Sequence, residues 1–145
     1  MIKKFITDDF QKCCEVFVQT YNQPPWNDRF TFETARIFLQ ELLDNKRFTG
    51  FTLWENNLLI GFAFCHIRYN WRGDSLTIDI LCIAPEYQRK GYGKILMGAV
   101  EELAKETSCN VVTLSTSISA PAFNFYEKLG YKHWESEVSM YKDIT

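Results

Sequence analysis

The chain has no excess of basic residues. Its 16 Lys and Arg are outweighed by 18 Asp and Glu, which leaves a formal charge of −2. A nucleic-acid-binding surface needs a positive field that displaces counterions from phosphates. We therefore expect no nucleic acid among its partners.

Long hydrophobic segments are also missing. The longest apolar run, LLIGFAFC at residues 58–65, is far shorter than the roughly 20 residues that span a bilayer. The opening MIKKFITDDF has two lysines but no apolar stretch after them, so it is not typical of a signal peptide. We expect a cytoplasmic protein that does not bind membranes.

Metal-ligand spacing is absent among the cysteines. The chain has five of them, with no C-x-x-C pair and no pair of histidines near them. Most lie within apolar patterns, so the sequence predicts buried, reduced thiols and no metal site. They are Cys13, Cys14, Cys65, Cys82 and Cys109.

Aromatic residues, in contrast, are abundant. Twelve Phe, seven Tyr and four Trp are enough to build a core and line a pocket. A length of 145 residues suits one ordinary domain. We expect a single domain over residues 1–145.

Hydrophobic periodicity predicts a mixed α/β fold with a mainly antiparallel sheet flanked by helices, in the order β-α-α-β-β-β-α-β-α-β. The strands are expected at residues 2–6, 51–55, 58–69, 75–84 and 110–115, with one or two more in 131–141. The helices are expected to start near Asp8, Thr31, Gly91 and Pro121.

Two of these elements carry a predicted face. Alternation along SLTIDILCIA predicts Ile78, Ile80 and Cys82 on one face and Thr77, Asp79, Leu81 and Ile83 on the other. Helical spacing predicts a buried side made of Ile95, Leu96, Ala99 and Leu103.

The turn at Gln88–Lys94, with the sequence QRKGYGK, is the strongest chemical signal. It lies between a hydrophobic strand and a helix, and a helix N-terminus carries unpaired N–H groups and a partial positive charge. Gly91 and Gly93 let an anion approach the backbone, and Arg89 adds charge. The turn is therefore suited to a diphosphate.

Two common diphosphate motifs do not fit. The string G-x-x-x-x-G-K-[ST] of a P-loop is not present. A dinucleotide fingerprint needs a third glycine where the chain has Leu96, and an acidic residue after the next strand, where NVVTLS offers none.

The same string resembles the Q/R-x-x-G-x-G/A acyl-CoA signature of the GCN5-related N-acetyltransferase (GNAT) family. A second segment, APAFNFYEKLGYK at 120–132, resembles that family's second conserved block. The element order along almost the whole chain is also similar to the family's.

The resemblance implies roles for particular residues. Backbone groups of Leu81, Cys82 and Ile83 would pair with pantetheine beside a strand bulge, and acetyl-CoA would be the co-substrate. The diphosphate would be held by Gln88, Arg89, Lys90, Gly91, Tyr92, Gly93 and Lys94. Tyr126 would lie by the thioester sulfur. The family often has an Asn that touches pantetheine about seven residues earlier; this chain has Ser119 there and Asn124 nearby.

The implied reaction is direct attack of a primary amine on the thioester. Tyr126 has the chemistry to protonate the thiolate, and Asp79 is the carboxylate in the strand that could accept the amine's proton. Both residues also have purely structural interpretations, as a core aromatic and as a paired strand acid. His66 and His133 are interpreted as structural or surface residues.

The acceptor, a small-molecule or peptide amine, should meet the loop YNQPPWNDRF. Trp26 could stack on it and Asp28 could attract its charge, with Thr77 placed where family members often carry a Glu. The loop is nearly as well explained as a rigid connector between helices.

Three further hypotheses stay open at this stage. The chain could be a non-catalytic acyl-CoA-binding module of the same fold, or a nucleotide-dependent Rossmann enzyme. It could also form a homodimer through Trp134 and Met140 on an exposed strand edge.

Overall fold

The computed structural model describes residues 1–145. Its four helices are α1 (Phe10–Tyr21), α2 (Phe32–Leu43), α3 (Tyr92–Glu106) and α4 (Pro121–Lys128). Its five strands are β1 (Ile2–Lys4), β2 (Phe48–Glu55), β3 (Leu58–Asn70), β4 (Gly73–Ile83) and β5 (Val111–Leu114). Short 3₁₀ turns lie at Thr7–Asp9 and Pro85–Tyr87. The predicted mixed α/β fold is confirmed.

The chain divides into two compact units, Met1–Ser115 and Thr116–Thr145. The first unit holds the whole sheet, whose strands follow the order β1-β2-β3-β4-β5. All neighbouring pairs are antiparallel except β4 and β5, which run parallel. A parallel pair needs a crossover, and α3 supplies it.

Helices α1 and α2 pack on one face of the sheet. An i to i+3 capping box, with Thr31 and Thr34 bonded reciprocally, starts α2. The core on this face contains Cys13, Cys14, Val16, Phe17, Ala35, Leu39, Trp54, Leu59, Phe62, Phe64, Cys82 and Ala84. Rings stack densely here, with the Phe17 centroid 4.8 Å from that of Tyr21. The aromatic surplus of the sequence is therefore largely core.

Helix α3 also packs on the sheet, through a stripe that differs from the predicted one. Leu96, Met97, Val100 and Ala104 are buried, whereas Ile95 is 52% exposed. Only Leu96 of the predicted side is fully buried. The helix is therefore rotated about its axis relative to the prediction, so that Met97 and Val100 are buried in place of Ile95 and Ala99.

A β-bulge in β4 changes the predicted alternation. Cys65 of β3 pairs with Ile78, and the preceding Phe64 pairs with Ile80, so Asp79 is an extra residue on β4. Directly opposed residues share a face of the sheet. Ile78 therefore lies on the face of Cys65, and Ile80 lies on the opposite face, that of Phe64. The prediction that Ile78 and Ile80 share a face is wrong.

The second unit contains α4 and a tail without regular structure. Pro121 occupies the first helical turn as predicted. No helix or strand follows α4, so the strands predicted in residues 131–141 are absent. Trp134 is 60% exposed and Met140 89% exposed, but a strand needs a partner for its backbone groups, and no sixth strand joins the sheet. A homodimer through these side chains stays a prediction.

The cysteines behave as expected from the sequence. All five are free thiols, four of them buried and Cys109 half-buried. Burial raises the pKa of Cys82 to about 12 and that of Cys14 to about 11. None of the helices is both long and apolar enough to cross a membrane.

Candidate functional site

An open strand edge lies at the end of β4. The pairing of β4 with β5 stops at Ile78 and Leu114, so residues 79–83 continue without a strand on that side. Ala84 N donates to Ile60 O of β3 at 2.8 Å. Because backbone groups alternate sides along a strand, those of Ile83 and Leu81 point away from β3. This is the edge on which an extended ligand can add its own hydrogen bonds.

Side chains hold the carbonyls of this edge in place. Tyr21 Oη donates to Leu81 O at 3.4 Å, and Gln88 Nε2 donates to Ile83 O at 2.9 Å. The N–H groups of Leu81 and Ile83 are left facing the open side. Cys82 has only 1% of its surface exposed, so its thiol belongs to the core and only its backbone can serve a ligand.

The turn after β4 has the backbone geometry of an anion site. Arg89 has φ of 61° and Gly91 has φ of 89°, both in the left-handed region. Gly91 is the N-cap of α3 and no side chain caps the helix there. The N–H groups of the first turn are therefore available to an anion, as the sequence predicts.

Charge and space at the turn agree with that role. The side chains of Arg89, Lys90 and Lys94 are exposed. A Cβ added at Gly91 would meet no atom within 4 Å, so the turn is open to a ligand. Glycine is needed at 91 because of its positive φ, not because of crowding.

A tyrosine pair braces the start of α3. Tyr92 Oη donates to Glu55 Oε2 at 2.8 Å, which ties the first helical turn to the end of β2. This hydrogen bond raises the pKa of the Tyr92 phenol. The rings of Tyr87 and Tyr92 meet edge to face at 5.9 Å. The Tyr92 side chain thus braces the turn, since its hydroxyl is engaged by Glu55, and its backbone N–H belongs to the first turn of α3.

Asp79 is paired with His66, which the sequence predicts to be a structural or surface residue. Asp79 Oδ2 lies 2.7 Å from His66 Nδ1, and the two side chains are 16% and 19% exposed. His66 alternates with Cys65 on β3, so it lies on the face of Phe64. Asp79 therefore does not share a face with Leu81 and Ile83, contrary to the prediction; the bulge is the reason. The signal that could have found His66 is the pairing register of the strands at 58–69 and 75–84, counted outward from the short turn between them.

Thr77 lies opposite His66 across β3 and β4. Its hydroxyl is 2.8 Å from that of Thr113 on β5. The structure thus groups Thr77, His66 and Asp79 on one patch of strand surface.

The loop after α1 reaches the open edge through Tyr21. Trp26 is 37% exposed, and its ring lies 4.8 Å from that of Tyr21, whose hydroxyl contacts Leu81. Asp28 N donates to Tyr21 O at 2.8 Å. Tyr21, which has no predicted role in the site, therefore joins this loop to the open edge of β4.

Tyr126 and Asn124 belong to α4 in the second unit. Tyr126 packs edge to face with Phe125 at 5.1 Å and with Tyr131 at 5.9 Å. Its carbonyl accepts from Tyr131 N at 3.0 Å. Its roles, and that of Asn124, remain predictions.

The first unit thus combines an open strand edge, a left-handed turn and an uncapped helix N-terminus in immediate succession. The acetyltransferase (GNAT) family model matches residues 6–131. The chain belongs to the GNAT family.

A curated relative and two solved structures agree with this assignment. The [ribosomal protein bS18]-alanine N-acetyltransferase of Haemophilus influenzae is 32% identical over 92% of this chain and 82% of its own length. An aminoglycoside N-acetyltransferase solved in complex with CoA superposes with a TM-score of 0.79 at 17% identity, covering 100% of this chain and 95% of that one. A probable acetyltransferase superposes with a TM-score of 0.82 at 19% identity, covering 100% and 98%.

The protein is an N-acetyltransferase. The family match excludes the Rossmann alternative for the glycine turn. It also leaves the non-catalytic module without support, because the relatives carry the names of N-acetyltransferases.

Proposed function

We propose that the protein transfers an acetyl group from acetyl-CoA to a primary amine by direct attack. The observation that carries this proposal is the open edge of β4 followed at once by the uncapped first turn of α3. A solved neighbour of the same fold was crystallised with CoA, which supports this donor. The name of the bS18-alanine relative supports a cytoplasmic location.

The donor would lie along these two elements. The N–H groups of Leu81 and Ile83 would pair with the pantetheine amides, and the first-turn amides of α3 would hold the diphosphate. Arg89, Lys90 and Lys94 would add positive charge. A backbone N–H near Ile83 that does not pair with pantetheine would bind the thioester carbonyl oxygen, which gains negative charge during attack.

The acetyl transfer would need one proton donor and one proton acceptor. Tyr126 would protonate the departing thiolate, because a phenol and a thiol have roughly similar basicity, with pKa values of about 10 and 8.5. Asp79, together with its partner His66, would accept a proton from the amine. The remaining rate gain comes from proximity, because both substrates are bound side by side.

The acceptor proposal follows the bS18-alanine relative, which matches 92% of this chain. Its name specifies N-acetylation at an alanine of a ribosomal protein. Because an alanine in a protein has a free amine only at the N-terminus, a peptide beginning with alanine is the first acceptor to test. The acceptor would meet the loop of Trp26 and Asp28 and the strand surface at Thr77. A small-molecule amine is the second, since a fold neighbour bears the name of an aminoglycoside N-acetyltransferase.

Calorimetric titration with acetyl-CoA tests the donor site. Gly91→Glu adds bulk and negative charge to the turn, and Gly91→Ala is its matched control. Both force a non-glycine residue into φ of 89°, so backbone strain is common to the pair. We expect micromolar binding by wild type, retention of most affinity by Gly91→Ala, and loss of at least about tenfold in Gly91→Glu.

Absence of wild-type binding would contradict the proposed donor. Equal affinity of the Ala and Glu variants would show that the diphosphate does not occupy this turn.

A further inference from the structure

The hydrogen bond between His66 and Asp79 has a fixed donor and a fixed acceptor. An ionised carboxylate can only accept hydrogen bonds, so the 2.7 Å contact requires His66 Nδ1 to carry the hydrogen. In the neutral ring the lone pair then lies on Nε2. No other hydrogen bond of His66 is present in the structure, and its side chain is 19% exposed.

The residues paired with His66 on both neighbouring strands are uncharged. Phe48 of β2 and Thr77 of β4 lie directly opposite His66, and neither is charged. Cys65 precedes His66 but faces the other side of the sheet, and burial raises the pKa of its thiol. Asp79 is therefore the charged group that orients the His66 ring, through the contact at Nδ1.

Imidazoles in general accept a proton near neutral pH better than carboxylates do. A protonated primary amine must lose a proton before it attacks. An acceptor works best when its pKa lies near the working pH, and imidazole at about 6.5 is much nearer to neutral than a carboxylate at about 3.9. The carboxylate is also already engaged through Oδ2 by His66.

Resting on the proposed acetyl transfer, we propose that His66 Nε2 accepts the proton of the acceptor amine and that Asp79 is its positioning residue. The amine nitrogen forms a bond to the thioester carbon, and the carbon–sulfur bond breaks with its electron pair moving to sulfur. The ammonium nitrogen loses two protons overall. One passes to His66 and then to water. The other leaves the tetrahedral intermediate for solvent, Tyr126 gives its proton to the departing thiolate, and a solvent proton restores the Tyr126 phenol.

Replacing His66 by Asn separates the two possible acceptors. Asn keeps an N–H group that can donate to Asp79 but has no lone pair in place of Nε2. We expect His66→Asn to lower kcat at least about 100-fold, while acetyl-CoA affinity stays within about twofold of wild type. His66→Gln should behave alike, and His66→Ala should regain activity when imidazole is added. His133→Asn, at the only other histidine, is the matched control and should keep wild-type kcat.

The assay measures CoA release with an alanine-initiated peptide and with an aminoglycoside as acceptors. Suppose that wild type turns over, His66→Asn keeps a kcat within about threefold of wild type, and Asp79→Asn is strongly impaired. That result would overturn this inference but not the proposed function, because the carboxylate would then be the proton acceptor. Failure of imidazole to restore any activity in folded His66→Ala would also overturn it. Wild-type protein that binds acetyl-CoA but acetylates neither acceptor would contradict the proposed function itself.

Discussion

Replacing Gly61 by Ala should destabilise the protein, because Gly61 packs against the segment of β4 that forms the open edge. Gly61 of β3 pairs with Ile83 of β4. A Cβ at this position would lie 2.8 Å from Cys82 O and 2.8 Å from Ile83 Cδ1. The side-chain atom can move aside, but the carbonyl is fixed in the sheet. The strand β4 must therefore shift.

The expected cost follows from this overlap. Forcing one extra methyl group into a packed site costs about 1–3 kcal/mol, and contact with a backbone oxygen places this variant near about 2 kcal/mol. For a chain of this length, that lowers Tm by roughly 6–8 °C. Because the displaced atoms belong to Cys82 and Ile83, the KM for acetyl-CoA should rise as well. Thermal unfolding and steady-state kinetics measure the two effects.

Gly98→Ala is the matched control. Gly98 lies inside α3, and a Cβ there would meet nothing within 4 Å. Alanine should raise the free energy of unfolding by up to about 1 kcal/mol, because glycine is a poor helix former. Equal stability of Gly61→Ala and wild type would refute the close contact of Gly61 with Cys82 O and Ile83 Cδ1 of β4.

Three further outcomes follow from single contacts. Arg47 donates two hydrogen bonds to Asp74 and lowers the pKa of that carboxyl, so its stabilising effect exists above the ordinary Asp pKa and is lost on acidification. Asp74→Asn should therefore lower Tm at pH 7, and the difference from wild type should shrink as the pH falls below the ordinary Asp pKa. In the native protein at pH 8, iodoacetamide should label Cys109 and leave Cys82 unmodified, as peptide mapping would show, because burial raises the Cys82 pKa to about 12. Arg89→Gly should weaken acetyl-CoA binding and reduce its salt dependence in calorimetry without lowering Tm, because φ of 61° suits glycine.

The sequence predicts the fold well where periodicity is strong. The strand of residues 75–84 and the helix that starts after the glycine turn both form. The turn itself is also foreseeable, since Gly91 takes the left-handed backbone that its position requires. These are local properties, so the order of residues is enough to indicate them.

The missed features depend on strand register and tertiary contacts. One extra residue at Asp79 reverses the alternation of β4, and no residue type marks a bulge in a hydrophobic strand. The pairing of His66 with Asp79 requires that register and spans 13 residues of sequence. The exposure of Ile95 depends on how α3 is rotated against the sheet. Helical spacing alone allows either rotation.

The segment of residues 131–141 shows that strand propensity alone does not produce a strand. YKHWESEVSMY alternates and contains Trp134 and Val138, which suit a strand. A strand also needs an edge to pair with, and in the structure this segment forms no strand of the five-stranded sheet.

The most direct test of acetyl transfer is the intact mass of an alanine-initiated peptide incubated with acetyl-CoA and the protein. We predict a gain of one acetyl group at the N-terminal amine, matched by CoA release, absent from an N-terminally blocked peptide and strongly reduced with Gly91→Glu. Wild-type protein that binds acetyl-CoA yet leaves this peptide and a panel of small primary amines unmodified would contradict the account.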